Sequence, residues 1–176
     1  ASIVNQGRFK KNEIRQFKDK LLIPVENSLI SLAQLAIYSR TRAKNMTMLC
    51  ITGSNGKTSV KNWLKRILEK QIKTHSTEGN LNNHIGMPLS LSKMNKNTEA
   101  CILEIGMNKP GEIQYLSDIA SPDISIITNI GPAHLGNFNS IEEIAEEKSC
   151  IFQRKKNSIA IIPRDSIYYN LIKKRA

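Results

Sequence analysis

The segment Met48-Leu49-Cys50-Ile51-Thr52-Gly53-Ser54-Asn55-Gly56-Lys57-Thr58-Ser59 decides how this chain is read. Met48 to Ile51 is a short apolar run of the kind that forms a buried strand. Residues 57–71 carry apolar side chains at helical spacing, with Val60, Trp63, Leu64, Ile67 and Leu68 expected on one face and Lys61, Lys65 and Lys70 off it. The connection between strand and helix holds Gly53 and Gly56. Glycine lets a backbone approach a phosphate closely and adopt positive φ. Several N–H groups then point at one anion, with a helix N-terminus behind them. Lys57 supplies a cation for terminal phosphates, and the Thr58 hydroxyl a ligand for Mg²⁺. A plain strand-to-helix turn is the alternative, but a Lys-Thr pair opening the helix has no packing reason. Gly53, Ser54, Asn55, Gly56, Lys57, Thr58 and Ser59 are therefore read as a phosphate loop. Its spacing is the short G-x-x-G-K-T. The longer G-x-x-x-x-G-K-[ST] would need glycine at 51, where Ile51 stands.

Outward from the loop, apolar and amphipathic segments alternate. Ala100-Cys101-Ile102-Leu103, Ile124-Ser125-Ile126-Ile127 and Ser158-Ile159-Ala160-Ile161-Ile162 read as strands. Pro110-Gly111-Glu112-Ile113 opens a helix, Ser140-Ile141-Glu142-Glu143 is a capping box, and Asp165 caps a last amphipathic helix. Residues 76–86, rich in Gly and Asn, read as a polar loop. The expected fold is α/β, a mostly parallel sheet with helices on both faces. Ligands in such folds lie at the carboxyl ends of the strands. Residues 1–45 differ: short strand, basic helix, strand at 21–25, then a helix from Ser28 to about Thr41. They read as the tail of a preceding domain and a connecting helix, with 46–176 as the nucleotide-binding domain.

The net charge of +11 sits on the flanks. Residues 1–50 hold nine basic and three acidic residues, 51–150 ten and eleven, and 151–176 seven and one. No aromatic residues interleave with the basic ones as a stacking platform needs, so nucleic-acid binding is not expected. No apolar run approaches the roughly 20 residues that cross a bilayer, and none at the N-terminus reads as a signal peptide. The chain does not begin with Met, so its natural start is expected upstream. Cys50, Cys101 and Cys150 are sparse and odd in number, and read as small core residues of a reduced, cytoplasmic protein.

Three residues ask for a metal, each with a bland alternative. Glu104 ends a buried run, where a carboxylate is costly unless paired or ligating; it also fits a strand-end acid facing water. His134 follows the third strand, as a ligand or as a solvated loop residue. Lys148 lies three or four residues from Ile144, Ala145, Ile151 and Phe152, on or beside the buried face of its helix, with Glu142, Glu143, Glu146 and Glu147 largely elsewhere. It is a snorkelling side chain or a lysine with a chemical role.

These residues together resemble the Mur ligases, the ATP-dependent amide-bond-forming enzymes of peptidoglycan synthesis. The short phosphate loop is that family's form. Gly79-Asn80-Leu81-Asn82-Asn83, Leu103-Glu104-Ile105-Gly106-Met107-Asn108-Lys109-Pro110-Gly111-Glu112-Ile113, Asn129 and Ala133-His134-Leu135 look like the branch that joins D-alanyl-D-alanine to UDP-N-acetylmuramoyl-tripeptide. The resemblance runs from about residue 20 to the end. It implies that the loop and Asn129 bind ATP, and that Thr58 and Glu104 hold Mg²⁺. It implies His134 as ligand of a second Mg²⁺ and a carbamylated Lys148, since CO₂ converts an ammonium into a carboxylate-like group that binds metal. Asn80, Asn82 and Asn83 are implied to meet the UDP-linked peptide. It further implies a full-length monomer, residues 1–45 as the end of a UDP-substrate domain, adenine contacts and a C-terminal domain beyond Ala176, and no ligation by these 176 residues alone. Cys150 stands where the family's pattern has an acidic residue. A sister ligase, a folylpolyglutamate synthase-like enzyme and a non-catalytic nucleotide-binding module remain as other readings.

Overall fold

The computed structural model describes residues 2–7, 21–133, 136–152 and 157–176. The basic helix expected before residue 21, and His134, lie outside them. Strands β1 (Ser2–Asn5) and β2 (Leu22–Val25) pair in parallel. Helix α1 (Ser28–Arg42) follows, its first amides capped by the Asn27 side chain.

The main sheet has five strands: β3 (Thr47–Thr52), β4 (Thr74–Ser76), β5 (Ala100–Glu104), β6 (Ile124–Ile127) and β7 (Ile159–Ile161). They run in the order β4-β5-β3-β6-β7, and every pairing is parallel. Between them come α2 (Lys57–Leu68), α3 (Gly86–Ser92), α4 (Glu112–Ala120) and α5 (Ile141–Ser149), with α6 (Tyr169–Arg175) last. Alternation along β3 divides the core. Leu49 and Ile51 pack beneath α2 with Val60, Leu64 and Leu68. Met48 and Cys50 face a larger cluster that takes in α1, α3, α4, α5 and α6. Helices on both faces of a parallel sheet are what the alternating sequence requires. The central strand β3 delivers the phosphate loop at its carboxyl end. Among the described residues no helix is long and apolar enough to cross a membrane.

The structure corrects the sequence reading in five places. In α2, Trp63 and Ile67 are 64% and 62% exposed, whereas Lys61 is 2% exposed. Lys57 Nζ reaches back to the loop, and the stripe 57-60-61-64-68 turns toward the sheet in place of 60-63-64-67-68. In α5, Glu147 is buried as well as Lys148. The polar loop expected at 76–86 is present, but the elements on either side of it were not expected. It is flanked by an edge strand, β4, and a helix, α3, which tolerates Pro88 because its first turn needs no amide donor there. The last helix starts at Tyr169, after a turn closed by the Tyr169 N–H to Ser166 C=O bond, so Asp165 does not cap it. Cys150 is half-buried rather than a core residue, while Cys50 and Cys101 are buried as expected; all three are free.

Candidate active site at the phosphate loop

The loop is clamped before any ligand arrives. Gly53 takes φ +150°, and a Cβ there would lie 1.9 Å from Thr128 Oγ1, so no side chain fits. Gly56 takes φ +80° as the N-cap of α2. Asn129 braces the turn twice. Its backbone C=O accepts from the Ser54 N–H at 3.0 Å, and its Oδ1 accepts from the Asn55 N–H at 2.8 Å. Ser54 Oγ donates to the Gly131 C=O and accepts from the Gly131 N–H, both at 2.9 Å. The first-turn amides at Lys57, Thr58 and Ser59 have no acceptor within the helix. They are the donors an anion would meet.

Two ammonium groups converge on one carbonyl. Lys57 Nζ donates to the Gly53 C=O at 2.8 Å and to the Ser54 C=O at 3.3 Å. Lys148 Nζ, 1% exposed, donates to the same Gly53 C=O at 3.1 Å. Burial, then the charge of Lys57, pushes the Lys148 pKa down to about 8, against a smaller upward pull from Glu147. Burial also lowers the pKa of Lys57, opposed by Glu104. A cluster of cations sharing one neutral acceptor is an anion site by electrostatics.

On the other side of the loop, Glu104 is 2% exposed at the end of β5. Its Oε2 accepts from the Thr58 hydroxyl and its Oε1 from Asn82 Nδ2, each at 2.8 Å. Its own N–H donates to Thr77 Oγ1 at 3.1 Å. Ser54 to Ser59, Asn80, Asn82, Glu104 and Gly106 line one cavity of about 450 Å³. Asn83 does not line it; its Oδ1 accepts from the Ile85 and Gly86 N–H groups at the start of α3.

α5 is set by its caps. Ser140 Oγ accepts from the Glu143 N–H at 3.1 Å, as the capping box requires, while the Glu143 carboxylate goes one residue further back, to Asn139. Glu147 accepts from the Gly111 N–H at 2.9 Å and the Ile113 N–H at 3.0 Å, at the N-terminus of α4. This contact ties the strand-end segment that carries Glu104 to the helix that carries Lys148. Sequence reading gave no role to Lys61, Thr77, Thr128 or Glu147. The visible signal was spacing for Lys61, which follows Lys57 and Thr58 by four and three residues, and proximity to Lys148 for Glu147.

Comparison with known proteins agrees with this geometry. The Mur ligase middle domain matches residues 51–176. The UDP-N-acetylmuramoyl-tripeptide–D-alanyl-D-alanine ligase of Rickettsia prowazekii is 44% identical over 156 residues, 88% of this chain and 34% of that protein. The MurF crystal structure from Acinetobacter baumannii superposes with a TM-score of 0.84 at 35% identity, over 88% of this chain and 34% of that one. MurF from Thermotoga maritima, solved in complex with ADP, gives a TM-score of 0.81 at 29% identity over 98% of this chain and 45% of that one. The chain thus spans about a third of the length of the curated relatives it matches. The chain belongs to the Mur ligase family, and residues 51–176 are a Mur ligase middle domain.

Proposed function

We propose that these residues form the ATP site of a MurF-type ligase, which joins D-alanyl-D-alanine to UDP-N-acetylmuramoyl-tripeptide in the cytoplasm. The observation that carries the reading is the convergence of Lys57 and Lys148 on the Gly53 carbonyl, beside a cavity that Lys57 lines together with Thr58 and Glu104. A cation, a hydroxyl and a carboxylate line the same cavity, with a second cation buried behind the loop. ATP phosphates with Mg²⁺ are the ligand this charge pattern fits. The relatives' names supply the two substrates.

Thr58 and Glu104 offer hard oxygen ligands, the kind Mg²⁺ takes while keeping several waters and phosphate oxygens in its shell. Bound there, Mg²⁺ would offset charge on the phosphate oxygens. The same reading gives His134 and a carbamylated Lys148 to a second Mg²⁺. Two features support the modification. A pKa of about 8 leaves Lys148 partly as the free amine, the form that adds CO₂ with loss of a proton. Thr52, placed by strand alternation on the face that α5 covers, has a buried hydroxyl without a partner among the described residues, and a carbamate oxygen there would supply one.

In the proposed reaction the peptide's terminal carboxylate attacks the γ-phosphorus of ATP, and ADP leaves. The amine of D-alanyl-D-alanine then attacks the acyl phosphate carbon and gives up a proton, and the C–O bond breaks to release phosphate. Lys57 and the first-turn amides of α2 hold the phosphates in line and stabilise their charge. Asn80 and Asn82 line the same cavity, and this reading gives them to the UDP-linked peptide. On this reading residues 1–45 are the end of the UDP-substrate domain with its connecting helix, and the enzyme works as a monomer.

Phosphate release by the complete polypeptide tests the proposal. Release is expected only with ATP, Mg²⁺ and both peptide substrates, one phosphate per amide bond, and Lys148→Ala should slow it at least 100-fold. Nucleotide binding with no effect of Lys148→Ala on turnover would favour a non-catalytic nucleotide-binding module instead.

A further inference from the structure

Lys61 has no part in the reaction above, yet it is among the most buried polar residues of the chain, at 2% exposed. It lies one turn beyond Lys57 and Thr58 in α2. Its Nζ donates to the Gly79 C=O at 3.1 Å and stands 3.7 Å from Glu104 Oε2. A buried ammonium persists only where partners replace its water. Here the partners come from two segments distant in sequence, the end of β5 and the turn Gly79-Asn80-Leu81-Asn82-Asn83.

That turn is fastened to the same carboxylate. Asn82 Nδ2 donates to Glu104 Oε1, and the Asn82 C=O accepts from the Gly106 N–H, both at 2.8 Å. Packing leaves it no slack. A Cβ on Gly106 would stand 2.9 Å from Asn82 Cγ, and one on Gly86 would stand 2.6 Å from Leu81 Cα. The Thr58 hydroxyl occupies Glu104 Oε2 as well. Helix α2, strand β5 and the asparagine turn therefore meet at one carboxylate and one ammonium, beneath the cavity that Asn80, Asn82 and the phosphate loop share.

We propose that Lys61 is a positioning residue that couples Glu104 to the asparagine turn. It pins Gly79 to α2, and its charge holds the Glu104 carboxylate in the orientation that receives a divalent cation. A cation drawing on Glu104 and the ordering of residues 79–83 are then linked, and linkage is reciprocal. The inference rests on the reading above that Glu104 takes Mg²⁺.

The test measures ADP affinity of the complete polypeptide with and without Mg²⁺, for the unsubstituted protein, Lys61→Met and Lys61→Arg. Lys61→Met keeps the side-chain length and removes donor and charge. The affinity gained from Mg²⁺ is expected to fall at least fivefold in Lys61→Met, with metal-free ADP affinity within twofold, and Lys61→Arg should restore part of the gain. In the unsubstituted protein, Mg²⁺ with ADP should slow amide exchange at Asn82 and Gly106 more than ADP alone. That measurement stands even if Lys61→Met does not fold. An undiminished Mg²⁺ gain in Lys61→Met, equal losses with and without Mg²⁺, or exchange at those amides indifferent to Mg²⁺ each overturns the inference. No Mg²⁺ gain in the unsubstituted protein overturns the metal reading of Glu104 and the inference with it.

Discussion

Gly53 meets two demands at once: a φ of +150° and the contact of its α-carbon with Thr128. Gly53→Ala would drive a methyl into the Thr128 hydroxyl and displace the carbonyl that Lys57 and Lys148 share. Nucleotide affinity should fall at least tenfold in a protein that keeps its helical circular dichroism, as calorimetry can show. In CO₂-free buffer, where it is unmodified, Lys148 makes a prediction about pH. Its folded pKa, about 8, lies below the ordinary 10.5, so the unfolded chain binds more protons between these values. Stability should therefore rise with pH across that window, the cost of the buried ammonium being fully present below about pH 8. Lys148→Met removes the group. The thermal midpoint of the variant should be the higher one at pH 7, by about 2–4 °C for each kcal/mol relieved. Its rise from pH 8 to 10 should be smaller than that of the unsubstituted chain. Glu104, by contrast, gained its meaning from neighbours that spacing does not show: Asn82 lies 22 residues before it and Thr58 46 before it.

At the scale of elements, the strands of the sheet centre and the helices other than α3 were legible because buried parallel strands are short apolar runs between amphipathic segments. The rotation of α2 was not. Hydrophobic periodicity put Trp63 and Ile67 in the core, but the loop fixes where Lys57 points, and this carries Lys61 inward and the indole out. Trp63 is the sole tryptophan, so its fluorescence should be quenched by acrylamide nearly as fully as that of a free indole. Edge strand β4 was missed because three residues carry too little pattern. Glu147 was misplaced because the backbone N–H groups it accepts from belong to another helix. Hydrogen bonds to a buried carboxylate contribute about 1.5–3 kcal/mol each. Glu147→Gln loses part of that and should lower the thermal midpoint by several degrees, whereas Glu142→Gln, at an exposed first-turn position, should change it little. An equal effect of the two substitutions would show that the contact with α4 contributes nothing.

At the scale of the whole molecule, the sheet gathers what the sequence scatters. Lys57, Glu104, Asn129 and Lys148 span more than 90 residues, yet they surround the carboxyl ends of β3, β5 and β6 and the loop between β3 and α2. The family was readable from the short spacing of the loop together with the Glu104 block, because these residues answer to chemistry rather than to packing. The clamp joining Lys61, Gly79 and Glu104 was not readable, since it depends on which way a helix turns over a sheet. The central claim is that this loop holds ATP phosphates, with Mg²⁺ on Thr58 and Glu104. A crystal structure of the complete polypeptide with a non-hydrolysable ATP analogue and Mg²⁺ tests it most directly. The account predicts the β- and γ-phosphates against the α2 N-terminus and Lys57, a metal on Thr58 and Glu104, and added density on Lys148 Nζ. Phosphates bound elsewhere, or a metal that avoids Glu104, would contradict it.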